Sequence, residues 1–189
     1  MLETLVSYQV QSQLSISRVL KQNKKHMLWN WPETCAEIAY RGDVEALKYF
    51  YSKCHKTVPT PGLFWDERTC GEAALAGNRE VIQWARTKKC PWNSITMSKA
   101  AIRGNIGLMQ WLREQGCPWD ARTCEEAALS KNLNILKWAR KNGCEWDSRT
   151  CEAAAFQFEA ENDKEKTRKR VELLAWLNER DCPCKRKYH

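Results

Sequence analysis

The chain has 189 residues, a formal net charge of +8 and 43% hydrophobic residues, enough for one ordinary core or a short stack of repeats and too short for two independent cores. No apolar run approaches the ~20 residues that a membrane-spanning helix needs, and a basic n-region with an apolar core and cleavage site is absent from the start. A transmembrane protein and a secreted disulfide scaffold are both excluded as expectations, and the ten cysteines are expected to meet a reducing, intracellular and most simply cytoplasmic compartment.

Residues 1–28 come first, with Leu2, Leu5, Val6, Val10 and Leu14, extended by Val19, on an approximately helical stripe. A helical cap over the open end of the first repeat is the expected role. An organelle-import presequence competes with it, opposed by Glu3 and by the lack of an early arginine.

From residue 29 to 184 the chain repeats itself. Trp65, Trp92, Trp119 and Trp146 recur every 27 residues, as do Trp84, Trp111 and Trp138, the pairs Ala73-Ala74, Ala100-Ala101, Ala127-Ala128 and Ala154-Ala155, the set Cys90, Cys117 and Cys144, and the set Asn78, Asn105 and Asn132. Shared periodicity of independent features marks a repeat architecture. Asp or Asn after the first tryptophan caps a first helix, and Gly-Asn about ten residues on stops it. A second helix comes next, as over Arg79 to Lys88 or Leu133 to Lys141, with Val81, Ile82, Trp84 and Ala85, or Ile135, Leu136, Trp138 and Ala139, at helical spacing. Gly116 or Gly143 supplies its positive-φ end, and Pro91 or Pro118 prevents continuation.

The outer units are altered. Cys35, Ala39, Arg41-Gly42-Asp43 and Tyr49 match Cys70, Ala74, Ala76-Gly77-Asn78 and Trp84 at an offset of 35, so Lys56 to Phe64, with Pro59, Pro61 and Gly62, is an inserted loop. Trp176 and Cys182 come 38 residues after Trp138 and Cys144. The excess lies within Phe156 to Arg170, whose helix-forming composition predicts lengthened helices or a helical excursion. About five helix-turn-helix units result, ending in a basic tail over residues 185–189. None can bury its apolar face alone, so an all-α solenoid of stacked pairs is the expected fold.

The unit resembles the ankyrin repeat. Its Arg-Thr-Cys-x-x-Ala-Ala-x-x-Gly-Asn stands where that family has T-P-L-H-x-A-A-x-x-G-H, and its second helix ends in Gly and a small residue, here Cys117 or Cys144. It departs in length: the ankyrin unit has about 33 residues, and the six that are missing fall between Cys90 and Ala100, where the family builds its β-turn finger. The phrase C-P-W-D-x-R-T-C at Cys117 to Cys124 looks like the short Trp- and Cys-rich ankyrin-like repeats found in algae, oomycetes and giant viruses. The resemblance implies stacked pairs without long β-hairpin fingers. It also implies a non-catalytic scaffold that binds another protein through the first helices and the edges between repeats, with Glu72, Lys99, Arg103, Glu126, Ser130 and Lys131 as the specificity-setting positions.

The cysteines keep to the same frame. Cys35, Cys70, Cys124 and Cys151 share one repeat position, and Cys90, Cys117, Cys144 and Cys182 another with Cys54 close to it, which makes them small buried residues. Cys182, Cys184 and His189 offer three zinc ligands without a visible fourth, so no metal or other cofactor is expected. The tryptophans of the second helices (Trp84, Trp111, Trp138, Trp176) are assigned to the core, and burial is also the expected state of the turn set (Trp65, Trp92, Trp119, Trp146); a partly exposed turn ladder would bind something. Arg18, Lys21, Lys24 and Lys25, the run Lys164, Lys166, Arg168, Lys169 and Arg170, and the tail Lys185, Arg186 and Lys187 together carry more positive charge than the whole chain. They read either as solvated ends or as contacts to RNA, an acidic protein or an anionic surface. The three histidines lie outside the repeat frame and no phosphate loop is present, so no enzyme is expected. An RNA-binding role through the basic segments and a structural subunit of a large assembly stand as alternatives to the protein-binding module.

Overall fold

The computed structural model describes residues 31–54, 64–156 and 164–180. These form ten α-helices and, among the described residues, no strand: α1 (Trp31–Arg41), α2 (Val44–Cys54), α3 (Glu67–Ala76), α4 (Arg79–Thr87), α5 (Ser94–Arg103), α6 (Ile106–Glu114), α7 (Ala121–Leu129), α8 (Leu133–Lys141), α9 (Ser148–Ala155) and α10 (Lys164–Glu179). The N-terminal cap expected over residues 1–28, most of the 56–64 insert and the tail lie outside the described residues. Two compact units divide at Pro91 and Trp92.

Local chemistry sets the helix boundaries. Asp66, Asn93, Asp120 and Asp147 each hold extended backbone and accept a hydrogen bond from the backbone N–H two residues on, which satisfies a donor that the helix start leaves open. Gly77 and Gly104 end α3 and α5 with φ of 84° and 78°. In the third copy of that position Lys131 adopts φ 54°, a left-handed conformation that glycine takes at lower cost. The second helices α6 and α8 are succeeded by Gly116 and Gly143 at φ 77° and 83°, whereas α4 is succeeded by Lys89 at φ 61°.

In the first unit α1 packs on α3, and each helix pairs with its own second helix, α2 or α4; in the second unit α5, α7 and α9 stack in sequence, backed by α6, α8 and α10. The seam is built from alanine and small polar residues. Ala39, Ala73 and Ala74 in the first unit, and Ala100, Ala101, Ala127, Ala128 and Ala154 in the second, are fully buried, so adjacent backbones approach closely. The second helices contribute the larger apolar groups: Val81, Ile82, Leu108, Met109, Leu112, Ile135, Leu136, Leu173 and Leu177.

Asparagine ties neighbouring units. Asn78 Nδ2 donates to the carbonyls of Ala39 and Tyr40 at 3.0 Å each, capping the end of the preceding first helix. Gly42 is required by the same contact, because a Cβ there would lie 2.8 Å from the Asn78 amide. In the second unit Gly104 stands equally close to Asn132, whose Oδ1 also caps the start of α8 through Ile135 N. Cysteine closes each unit: Cys90, Cys117 and Cys144 point their sulfurs at the carbonyls of Asp66, Asn93 and Asp120.

The cysteine expectation holds at Cys35, Cys70, Cys90, Cys117, Cys124 and Cys144, which are free and buried. Burial holds at Cys151 too, but that residue is disulfide-bonded rather than free. The Cys70 and Cys90 sulfurs lie 3.7 Å apart. The hydrogen bond to Cys70, together with burial, pushes the Cys90 thiol well up, and the bond to Cys144, with burial, does the same to Cys124. Such thiols stay protonated at neutral pH and are poor nucleophiles.

The tryptophan assignment needs correction. Of the second-helix set only Trp111 is buried, while Trp84, Trp138 and Trp176 are half-exposed. Their helices turn other residues inward, such as Val81, Ile82 and Ala85 of α4, and the indoles lie on the flank. Of the turn set only Trp65 is buried, at 2% exposure, because Tyr51 stacks on it at 5.0 Å and Phe64 meets it edge-on. Trp92, Trp119 and Trp146 are half-exposed.

Candidate functional site

The first helices of the second unit end alike. After the alanine seam come Ile102, Leu129 and, just past α9, Phe156, again 27 residues apart. All three are open to solvent, at 38%, 37% and 50%. Among the described residues the only other large apolar side chains as exposed are Tyr40 and Val171. Tyr40 occupies the equivalent position of the first unit, at the end of α1. Scattered exposed apolar residues are ordinary; a repeated set on one edge is an interaction signal.

Polar groups flank the apolar set. Arg103 and Ser130 are exposed beside Ile102 and Leu129. The Lys131 ammonium reaches across to α9 and donates to the carbonyls of Ala153, Ala154 and Phe156 at 3.1, 3.4 and 2.8 Å. It therefore closes the end of α9, which lacks a Gly-Asn stop, and positions Phe156 on the edge. Lys99 and Glu126 sit one turn earlier on α5 and α7 and are half-buried. Burial, then the neighbouring Glu125, pushes the Glu126 carboxyl above its usual range against the pull of Arg122. In the first unit the equivalent Glu72 joins Glu33, Glu37, Tyr40 and Arg68 around a shallow cleft of about 400 Å³.

A second edge runs along the second helices. Each turn tryptophan meets a second-helix tryptophan edge-on: Trp65 with Trp84 in the first unit, and Trp92 with Trp111, Trp119 with Trp138, and Trp146 with Trp176 in the second, all at 5.8 to 6.5 Å. The Arg113 guanidinium lies 4.2 Å above Trp119 and that of Arg140 4.4 Å above Trp146, a favourable cation–π placement. The same arginines donate to the carbonyls of Cys117 and Cys144, which fixes them in place.

The basic run Lys164, Lys166, Arg168, Lys169 and Arg170 forms the first turns of α10. All but the half-buried Arg170 are exposed. Glu165 partly offsets them, pairing with Arg168 at 2.8 Å and Lys169 at 3.6 Å, and Arg168 holds its carboxyl below the usual range. Lys169 also lines a cleft of about 350 Å³ with Ser130 and Lys131, so two separately predicted sets meet there. Lys185, Arg186 and Lys187, like Cys182, Cys184 and His189, lie outside the described residues. Among the described residues no cluster of His, Cys, Asp or Glu is arranged to hold a metal ion, and no helix is long and apolar enough to cross a membrane.

Sequence reasoning finds the polar neighbours of the apolar edge and misses Ile102, Leu129 and Phe156 themselves. The signal is present as an apolar residue one position after each alanine pair, but its identity varies from unit to unit. No protein-family model matches the chain, and no curated protein matches it either.

Proposed function

We propose that the chain is a non-catalytic interaction module, a solenoid of short ankyrin-like repeats that binds another protein through the edge where its first helices end. The observation that carries this reading is the exposed trio Ile102, Leu129 and Phe156 at one repeat position, rimmed by Arg103, Ser130 and Lys131. An apolar centre with a polar rim is the composition of a protein interface. The resemblance in sequence supports the architecture, as do the recurring N-caps, the alanine seam and the cysteine closures.

Affinity capture from the cells that make the protein tests this reading, with nuclease present, using the wild type and an Ile102→Gln, Leu129→Gln, Phe156→Gln triple variant. One or a few proteins retained by the wild type and lost by the variant are expected. A protein set that both retain equally, or recovery that collapses with nuclease in both, would overturn the reading.

A further inference from the structure

The C-terminal halves of α8 and α10 enclose a cleft of about 650 Å³ lined by Lys137, Arg140, Lys141, Trp146, Trp176 and Arg180. Among the described residues the lining is four cations, two half-exposed indoles and no carboxylate. Lys137 and Lys141 lie one turn apart on the exposed face of α8, and among the described residues none of the four cations is ion-paired. Positive charge left unpaired in a concavity concentrates anions. Arg140 and Arg180 are held over Trp146 and Trp176, at 4.4 and 5.5 Å, so charge and ring faces are presented together.

The cationic character continues along the groove. At the other ends of the same two helices, Lys131 and Lys169 line the smaller cleft, with Glu172 as its one carboxylate among the described residues. The nine residues of α8 span about 13 Å at ~1.5 Å per residue, the rise of about four nucleotides at ~3.4 Å each. A tryptophan pair with an arginine over the turn indole recurs one repeat earlier at Trp119, Trp138 and Arg113. A repeated aromatic and cationic constellation suits a polymer whose own phosphates and rings repeat.

We propose that the groove between α8 and α10 is a binding site for single-stranded nucleic acid, with Lys137, Lys141 and Arg180 on phosphates and the Trp146 and Trp176 indoles against bases. The larger cleft shares no lining residue with the first-helix edge, and the proposal does not depend on the protein-binding reading. Lys137 and Lys141 supply the phosphate contacts most easily removed without touching the core, and the indoles distinguish a nucleotide from a bare anion.

Fluorescence anisotropy of a labelled mixed-sequence single-stranded RNA, titrated with the full chain from ~50 to ~200 mM salt, tests the assignment. Lys137→Gln with Lys141→Gln is expected to weaken binding about tenfold or more at low salt and to flatten the log–log salt slope by about two, one for each phosphate deprived of its lysine. Lys164→Gln with Lys166→Gln removes equal charge outside the cleft and is expected to change affinity by less than about threefold. Tryptophan emission should fall on adding RNA and not on adding inorganic tripolyphosphate. No binding at low salt, equal losses in the two double variants, or tripolyphosphate competing as well as RNA without any change in emission would each overturn the proposal. Duplex RNA binding as tightly as the single strand would do the same.

Discussion

Two stretches of the same helices obey opposite rules. In the seam, Ala100, Ala101, Ala127, Ala128 and Ala154 are fully buried, and their size is dictated by the separation of the helices they join. One or two residues further on, Ile102, Leu129 and Phe156 are large, apolar and exposed. The seam packs the repeats together, and under the proposed function the edge serves recognition.

The sharpest way to break that contrast is to exchange the rules. Ala127→Leu or Ala100→Leu should overpack the seam and cost about 1 to 3 kcal/mol, read as a lower Tm, whereas Leu129→Gln at the edge should stay within about 0.5 kcal/mol of the wild type. Equal losses would mean that the edge is itself packed. Removing a tie between units comes next: Asn78→Ala leaves the Ala39 and Tyr40 carbonyls without their donor and should cost about 1 to 2 kcal/mol by chemical denaturation.

A smaller effect of opposite sign is expected at Lys89. It adopts φ 61° at the position that Gly116 and Gly143 fill in the next two units, so Lys89→Gly should raise stability by about 0.5 to 1 kcal/mol. The smallest effect concerns Glu126. Its carboxyl is raised by burial and Glu125, so the folded state binds its proton more tightly than the unfolded state and loses stability as pH rises through that range. Glu126→Gln should therefore raise Tm slightly at neutral pH, and the difference should shrink as the pH falls below the ordinary carboxylate range.

The repeat makes most of the fold legible. Asp66, Asn93, Asp120 and Asp147 announce helix starts because a short acceptor before a helical run has one favourable role, and α8 spans the predicted Leu133 to Lys141. The alanine pairs mark the seam because only a close approach demands two small residues in every copy. Other features are hidden by the same logic. Identities between repeats reveal what packing holds constant and pass over what it leaves free, so the apolar edge stays out of sight. Periodicity also cannot tell which indole a neighbour covers: Trp65 is buried by Tyr51 and Phe64, whose positions carry no aromatic residue in later units. Lys131 reads from the sequence as a partner-binding residue, yet its ammonium is bonded to α9, a bond between units that no local pattern encodes.

The central claim is that the edge binds and the seam holds. Equilibrium binding of the captured protein to the wild type and to the Ile102→Gln, Leu129→Gln, Phe156→Gln variant, with melting curves recorded on the same samples, tests it most directly. The account predicts an affinity at least about tenfold weaker, or about 1.4 kcal/mol, with Tm nearly unchanged. Unchanged affinity, or a Tm that falls along with it, would contradict it.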